Sequence, residues 1–148
     1  MILLRSAQET QHFGEAIGAA LGIGDVVLLS GALGAGKTSL VRGMLHALGF
    51  KGEVPSPSYA IVIPYERPDV RVAVAHVDLY RIDDPEQLDE LGLDDALFDG
   101  ILLIEWPERA GDKQWRNALE ISLKIGPDDS RRLTAVIPPS WEGRWPLQ

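Results

Sequence analysis

The 148-residue sequence contains no cysteine, which excludes a disulfide framework, a thiolate metal site and a cysteine nucleophile together, and suits a reducing compartment. Long apolar runs are missing too. Nothing approaches the ~20 residues needed to span a bilayer, and the stretch Met1 to Ser6 is too short for a signal-peptide core, so a cytoplasmic protein with no membrane partner is expected. Cations are scarce: 14 Lys and Arg face 22 Asp and Glu, a formal charge of -8. Such a chain repels a phosphate backbone at long range, which disfavours direct binding of RNA or DNA. Internal repeats, low-complexity segments and linkers are also absent. With 45% hydrophobic residues, a single domain over residues 1–148 is the expectation.

What is there reads as alternating helices and strands. Ser6 with Glu9 resembles a capping box, and Phe13, Ile17, Ala20 and Leu21 follow at helical spacing up to Gly22. Val26-Val27-Leu28-Leu29 is a short run suited to a strand buried on both faces. Leu40, Val41, Met44, Leu45 and Leu48 predict a second helix that ends near Gly49. Pro55 to Tyr59 is a proline-held loop, and Tyr59 to Ile63 predicts a strand ended by Pro64. Val70 to Val77 predicts another strand, ending at Asp78. Asp84-Pro85-Glu86-Gln87 looks like a helix start, with Gly92 as its stop, and a short turn occupies Asp94 to Phe98. Ile101 to Ile104 is a further buried-strand candidate. Leu119 to Ile125 and Arg132 to Ile137, separated by Gly126-Pro127-Asp128-Asp129, predict a terminal antiparallel hairpin. The tail with Trp141, Arg144 and Trp145 fits no element, and Trp115, Trp141 and Trp145 suit a core or an interface equally well. The fold class expected is α/β, a three-layer sandwich around a mixed sheet.

Between the first buried strand and the second helix stands Gly31-Ala32-Leu33-Gly34-Ala35-Gly36-Lys37-Thr38, the pattern glycine, any four residues, glycine, lysine, then serine or threonine. Glycines let successive N–H groups turn inward around phosphate oxygens, at the positive end of the following helix. Lys37 is expected to reach β- and γ-phosphates, and the Thr38 hydroxyl to meet Mg²⁺. Gly31 through Thr38, with Ser39, form the expected nucleotide cradle. No guanine-reading Asn-Lys-x-Asp segment follows, which leans towards ATP.

Two carboxylates close apolar runs. Asp78 is the expected magnesium partner of Thr38, against the plainer reading that it caps the turn into Leu79 and Tyr80. Glu105 either orients the attacking water and completes the magnesium shell, or is an ordinary strand-end acid. Ser56, Ser58 and Tyr59 lie where many nucleotide switches sense a γ-phosphate, against the plainer reading of a rigid surface connection. His76 has Asp78 or the Ser58 loop within reach on the same strand face, while Tyr80, Arg81 and Trp106 are expected to face nucleotide or partner.

Taken together, these motifs resemble the bacterial TsaE (YjeE) family of tRNA threonylcarbamoyladenosine biosynthesis ATPases. The likeness rests on the glycine loop, on Ser56-Pro57-Ser58-Tyr59, on His76-Val77-Asp78-Leu79-Tyr80-Arg81 and on Ile104-Glu105-Trp106-Pro107. Ser58 stands where the family commonly has threonine and keeps the hydroxyl; Ala32 stands where it often has aspartate. The resemblance implies a P-loop NTPase fold, with Lys37, Thr38, Asp78 and Glu105 in phosphate, magnesium and catalytic roles. It also implies a place beside the TsaB–TsaD heterodimer in forming N6-threonylcarbamoyladenosine at tRNA position 37, with tRNA met through the complex. Two other classes fit a phosphate loop. A small-molecule kinase would need a cationic lid, which Arg131-Arg132 in a hairpin does not supply; a noncatalytic nucleotide-dependent interaction module would need no hydrolysis.

Overall fold

In the computed structural model, which describes residues 1–56, 61–111 and 115–146, apolar runs without alternation become strands covered on both faces. The order along the chain is β1 (Ile2–Leu4), α1 (Ala7–Gly18), β2 (Val26–Gly31), α2 (Lys37–Ala47), β3 (Val62–Tyr65) and β4 (Ala73–Asp78). A 3-10 segment (Pro85–Leu91), α3 (Leu93–Phe98), β5 (Gly100–Glu105), a second 3-10 turn (Pro107–Ala110), β6 (Leu119–Ile125), β7 (Arg131–Val136) and a last 3-10 turn (Pro139–Trp141) complete it. One mixed sheet runs β1-β7-β6-β2-β5-β4-β3. The neighbours of β2, namely β5 and β6, are parallel to it, as is β4 to β5; the outer pairs are antiparallel.

Alternation along the central strands divides the core in two. Val27, Leu29, Ile101, Leu103 and Val74 face α1 and α2, whereas Val26, Val77, Leu102 and Ile104 face the short helical segments with Leu88 and Leu93. The expected three layers are present, the second helical layer being thin. Among the described residues, no helix is long and apolar enough to cross a membrane.

Several boundaries differ from the sequence reading. Met1 to Ser6 contributes β1, which pairs with β7. Pro64 does not end a strand but lies inside β3, opposite Ala75; β3 is the sheet edge, where a missing N–H need not break a ladder. Tyr59 and Ala60, the predicted start of that strand, lie outside the described residues. The helix expected after Asp84 is a 3-10 segment, although its capping box forms as read. Helix α1 stops at Gly18 rather than Gly22, and Arg71, which reads as a surface charge, donates to the Gly18 and Leu21 carbonyls there. The unplaced tail folds inward: Trp141 is fully buried, and Arg144 spans the Asp25 carboxylate and the Ala20 carbonyl.

Glycines bring α1 and α2 together. A Cβ at Gly43 would collide with the Gln11 carbonyl, one at Gly14 with the Leu40 carbonyl, and one at Gly18 would lie 2.5 Å from the Met44 carbonyl oxygen. Backbone meets backbone, so no side chain can yield. Gly43→Ala is therefore expected to lower stability by about 2–3 kcal/mol, read as a shifted urea midpoint. Gly22→Ala, where an added Cβ meets nothing within 4 Å, should change it by about 0.5 kcal/mol or less. Equal midpoints in the two variants would contradict this account of the helix contact.

Candidate functional site

β2 delivers the glycine loop and α2 begins inside it, at Lys37. Gly36 occupies the N-cap at φ 106°, ψ 13° with no side-chain cap bond, a conformation open to glycine at little cost. Gly31 passes so close to β6 that a Cβ would sit 2.7 Å from the Leu123 carbonyl oxygen. Between them the Ala35 N–H donates to the Ala32 carbonyl, 3.1 Å away, closing a turn within the loop.

Lys37 is only 5% exposed. Its ammonium donates to the Gly31 carbonyl and lies 3.8 Å from the centroid of the Trp106 ring. Burial pulls its pKa below the ordinary lysine value, and the negative charges of Glu105, Asp78 and Glu108 oppose that shift.

The opposing carboxylates sit where parallel strands end. Asp78 and Glu105 are register partners on β4 and β5, and Leu29 of β2 is the other partner of Glu105. Both acids are 3% exposed. Asp78 Oδ1 accepts the Tyr80 N–H at 2.8 Å, and Glu105 Oε2 lies 2.6 Å from Nε2 of the fully buried His76. His76 thus pairs with Glu105 rather than with Asp78, because same-face side chains on neighbouring strands meet diagonally. Its Nδ1 has no hydrogen-bond partner among the described residues. Trp106 packs on Tyr80 at 4.8 Å between centroids, and the Arg109 guanidinium lies 5.4 Å from the Tyr80 ring centroid.

Leu33, Gly34, Ala35, Gly36, Lys37, Thr38 and Ser39 line one cavity of about 280 Å³ with Ser56, Asp78, Glu105 and Trp106. Larger depressions of about 530 to 660 Å³ occur elsewhere. None of them gathers Lys37 with Asp78 and Glu105, so chemistry rather than size selects the smaller one. Gly31 and Ala32 border a neighbouring groove against Ser122 to Ile125 instead. Tyr80 reaches the cavity through Trp106, whereas Arg81 is exposed and outside its lining. Ser58 and Tyr59 lie outside the described residues.

Hydroxyl and carboxylate oxygens at one cavity suit a hard divalent ion that also takes phosphate oxygens. Among the described residues no three His, Asp or Glu side chains are grouped to hold a metal by themselves. Sequence reading missed three contributors: Glu108, whose charge acts on Lys37; Arg109, stacked on Tyr80; and Arg131, which donates to the Gly34 carbonyl at 3.1 Å. Arg131 is 97 residues from Gly34 in sequence, and no spacing rule joins them.

The charge balance at Lys37 makes a titration prediction. Its side-chain nitrogen, followed by ¹⁵N NMR, should titrate below ordinary lysine, and Glu105→Gln should lower the midpoint further by removing a charge that raises it. Between the lowered folded value and the ordinary one, the unfolded chain binds more protons, so this residue makes stability rise with pH across that window. A midpoint at or above ordinary lysine would contradict the burial account.

Comparison with known proteins places the chain in a family. The family described as "Threonylcarbamoyl adenosine biosynthesis protein TsaE" matches residues 4–133. A tRNA threonylcarbamoyladenosine biosynthesis protein TsaE from Treponema pallidum is 35% identical over 133 residues, covering 89% of this chain and 96% of that protein. The protein of the same name from Rickettsia bellii is 36% identical over 130 residues, covering 87% and 89%. Among solved structures, Bacillus subtilis YdiB superposes with a TM-score of 0.81 at 28% identity, covering 97% of this chain and 88% of that one. A match over most of the sequence, with the same fold in a solved relative, establishes that the chain belongs to the TsaE family.

Proposed function

We propose that the chain is a magnesium-dependent ATPase, one P-loop domain over residues 1–148, that hydrolyses ATP to ADP and phosphate. It acts with the TsaB–TsaD heterodimer, regulating or resetting that pair during formation of N6-threonylcarbamoyladenosine at tRNA position 37. The observation that carries the first half is the convergence of Lys37, Asp78 and Glu105 on one cavity at the start of α2. The second half is supported by family membership and by relatives named for tRNA threonylcarbamoyladenosine biosynthesis.

In this reading the backbone amides of Gly31 to Ser39 hold the phosphates, and Lys37 exchanges its contact with the Gly31 carbonyl for β- and γ-phosphate oxygens. Thr38, Asp78 and Glu105 supply the oxygen donors for Mg²⁺, which when bound neutralises phosphate charge. His76 holds the Glu105 carboxylate by one oxygen, and Glu105 orients the attacking water. Trp106 walls the cavity with Tyr80 packed behind it, and with Ser56, Ser58, Tyr59 and Arg81 they couple it to the partner. A net charge of -8 fits docking through protein contacts, with tRNA met only through the complex.

Phosphate release without any added acceptor tests the chemistry, and phosphorylation of an added small molecule in its place would assign a kinase. Lys37→Ala should abolish nucleotide binding. Asp78→Ala and Glu105→Ala should keep the fold while lowering turnover about 100-fold or more, the usual scale for losing a charge-stabilising group. Unchanged turnover in both would remove the roles assigned to them. Titrating the TsaB–TsaD pair with this protein in ADP and in ATP should give different affinities; identical ones would remove the coupling.

A further inference from the structure

Phosphate loops work when their amides are already aimed inward, so whatever fixes the loop before a ligand arrives contributes to affinity. At the tip of this loop packing does not do that. Gly34 is exposed at φ +79°, and a Cβ placed there would meet nothing within 4 Å. What reaches the tip is Arg131, the first residue of β7, whose Nη2 donates to the Gly34 carbonyl at 3.1 Å. The other end of the same guanidinium is held firmly. Nη1 donates to the Asp129 carbonyl at 2.7 Å and to Asp129 Oδ1 at 3.1 Å.

The turn that holds it is itself tied together. The Gly126 N–H donates to the Ser130 carbonyl at 2.7 Å, and the Ser130 hydroxyl donates to Asp128 Oδ1 at 2.6 Å. A planar fork with one nitrogen on this turn and the other on the loop transmits the rigidity of one to the other. Drawing the Gly34 carbonyl outward sets the plane of the peptide it shares with Ala35, whose N–H closes the turn onto the Ala32 carbonyl. Lys37, Asp78 and Glu105 are not touched by this contact.

We propose that Arg131 is a positioning residue for the phosphate loop: bridging Asp129 and the Gly34 carbonyl, it presets the loop tip for a nucleoside diphosphate or triphosphate. This rests on the nucleotide reading of the preceding subsection. Because Asp129 balances its charge and its Nη1 and Nη2 are directed at Asp129 and the Gly34 carbonyl, Arg131 acts through geometry rather than by touching phosphate. Its loss therefore falls on nucleotide affinity and leaves turnover at saturation nearly intact.

Calorimetric titration with MgADP, together with ATP hydrolysis at saturation, tests this. Arg131→Ala should raise the MgADP Kd about 5- to 20-fold, the scale of one charge-assisted hydrogen bond at a partly exposed site, with kcat changed less than about twofold. Arg131→Lys should recover only part of the affinity, since an ammonium keeps the charge without spanning both partners. Should Arg131→Ala fail to fold, Arg131→Met keeps the aliphatic stem while removing both contacts, and should raise Kd about 5- to 20-fold. A wild-type Kd in whichever of these variants folds would overturn the proposal and leave the nucleotide reading standing, as would full affinity in Arg131→Lys. A fall in kcat at unchanged Kd would also overturn it, by moving Arg131 into the reaction. No MgADP binding by the wild-type protein would overturn the nucleotide reading itself, and this proposal with it.

Discussion

A lysine ammonium withdrawn from water is the constraint around which this structure is arranged. Lys37 is kept at the mouth of α2 by the loop geometry, where burial disfavours its charge and the carboxylates of Glu105, Asp78 and Glu108 offset that penalty. The compensation depends on sheet register. Asp78 stands opposite Glu105, and Glu105 opposite Leu29, so both acids emerge on the face that α1 and α2 cover. Slipping β4 or β5 by one residue would turn its acid to the other face and leave the ammonium less well balanced. The close contact of α1 with α2 matters for the same reason, since it seats the helix that carries Lys37.

What was legible in the sequence is what short-range chemistry dictates. The glycine loop, the strand before it and the helix after it were readable because glycines, an unbroken apolar run and a 3.6-residue period occur in immediate succession. Asp78 and Glu105 could be placed because each closes an apolar run, and the acidic edge of a parallel sheet follows from that. The terminal hairpin was readable from alternation. Misjudged segments depended on partners far away in the chain. β1 is three residues long and exists because β7 offers an edge. Pro64 looks like a terminator until β3 proves to be the outermost strand. The tail has no period to read, because its tryptophans fill space left by α1 and the sheet.

Side-chain contacts were least legible of all, and for a common reason. The sequence offers His76 either Asp78 on its own strand or the Ser58 loop, yet its Nε2 reaches across to Glu105, two register positions along β5. Arg71 looks like an ordinary surface charge and Arg131 like a hairpin residue that supplies no lid, but each ends on a backbone carbonyl, at the end of α1 and in the glycine loop respectively. A carbonyl carries no sequence signature, so an arginine that serves one cannot be singled out from its neighbours.

Trp106 draws these threads together. It adopts φ 60°, ψ 49°, a left-handed conformation that costs a bulky residue about 1–3 kcal/mol. The position explains why it is there: β5 must deliver Glu105 to the cavity and then turn at once into the Pro107 segment. The offset comes from its ring, which takes the Lys37 ammonium on one contact and Tyr80 on the other, worth about 0.5–2 and 0.5–1.5 kcal/mol respectively. Strain and compensation are therefore of one size, and the compensation runs through Lys37 itself. Whatever draws that ammonium away from the indole removes part of what offsets the strain at Trp106.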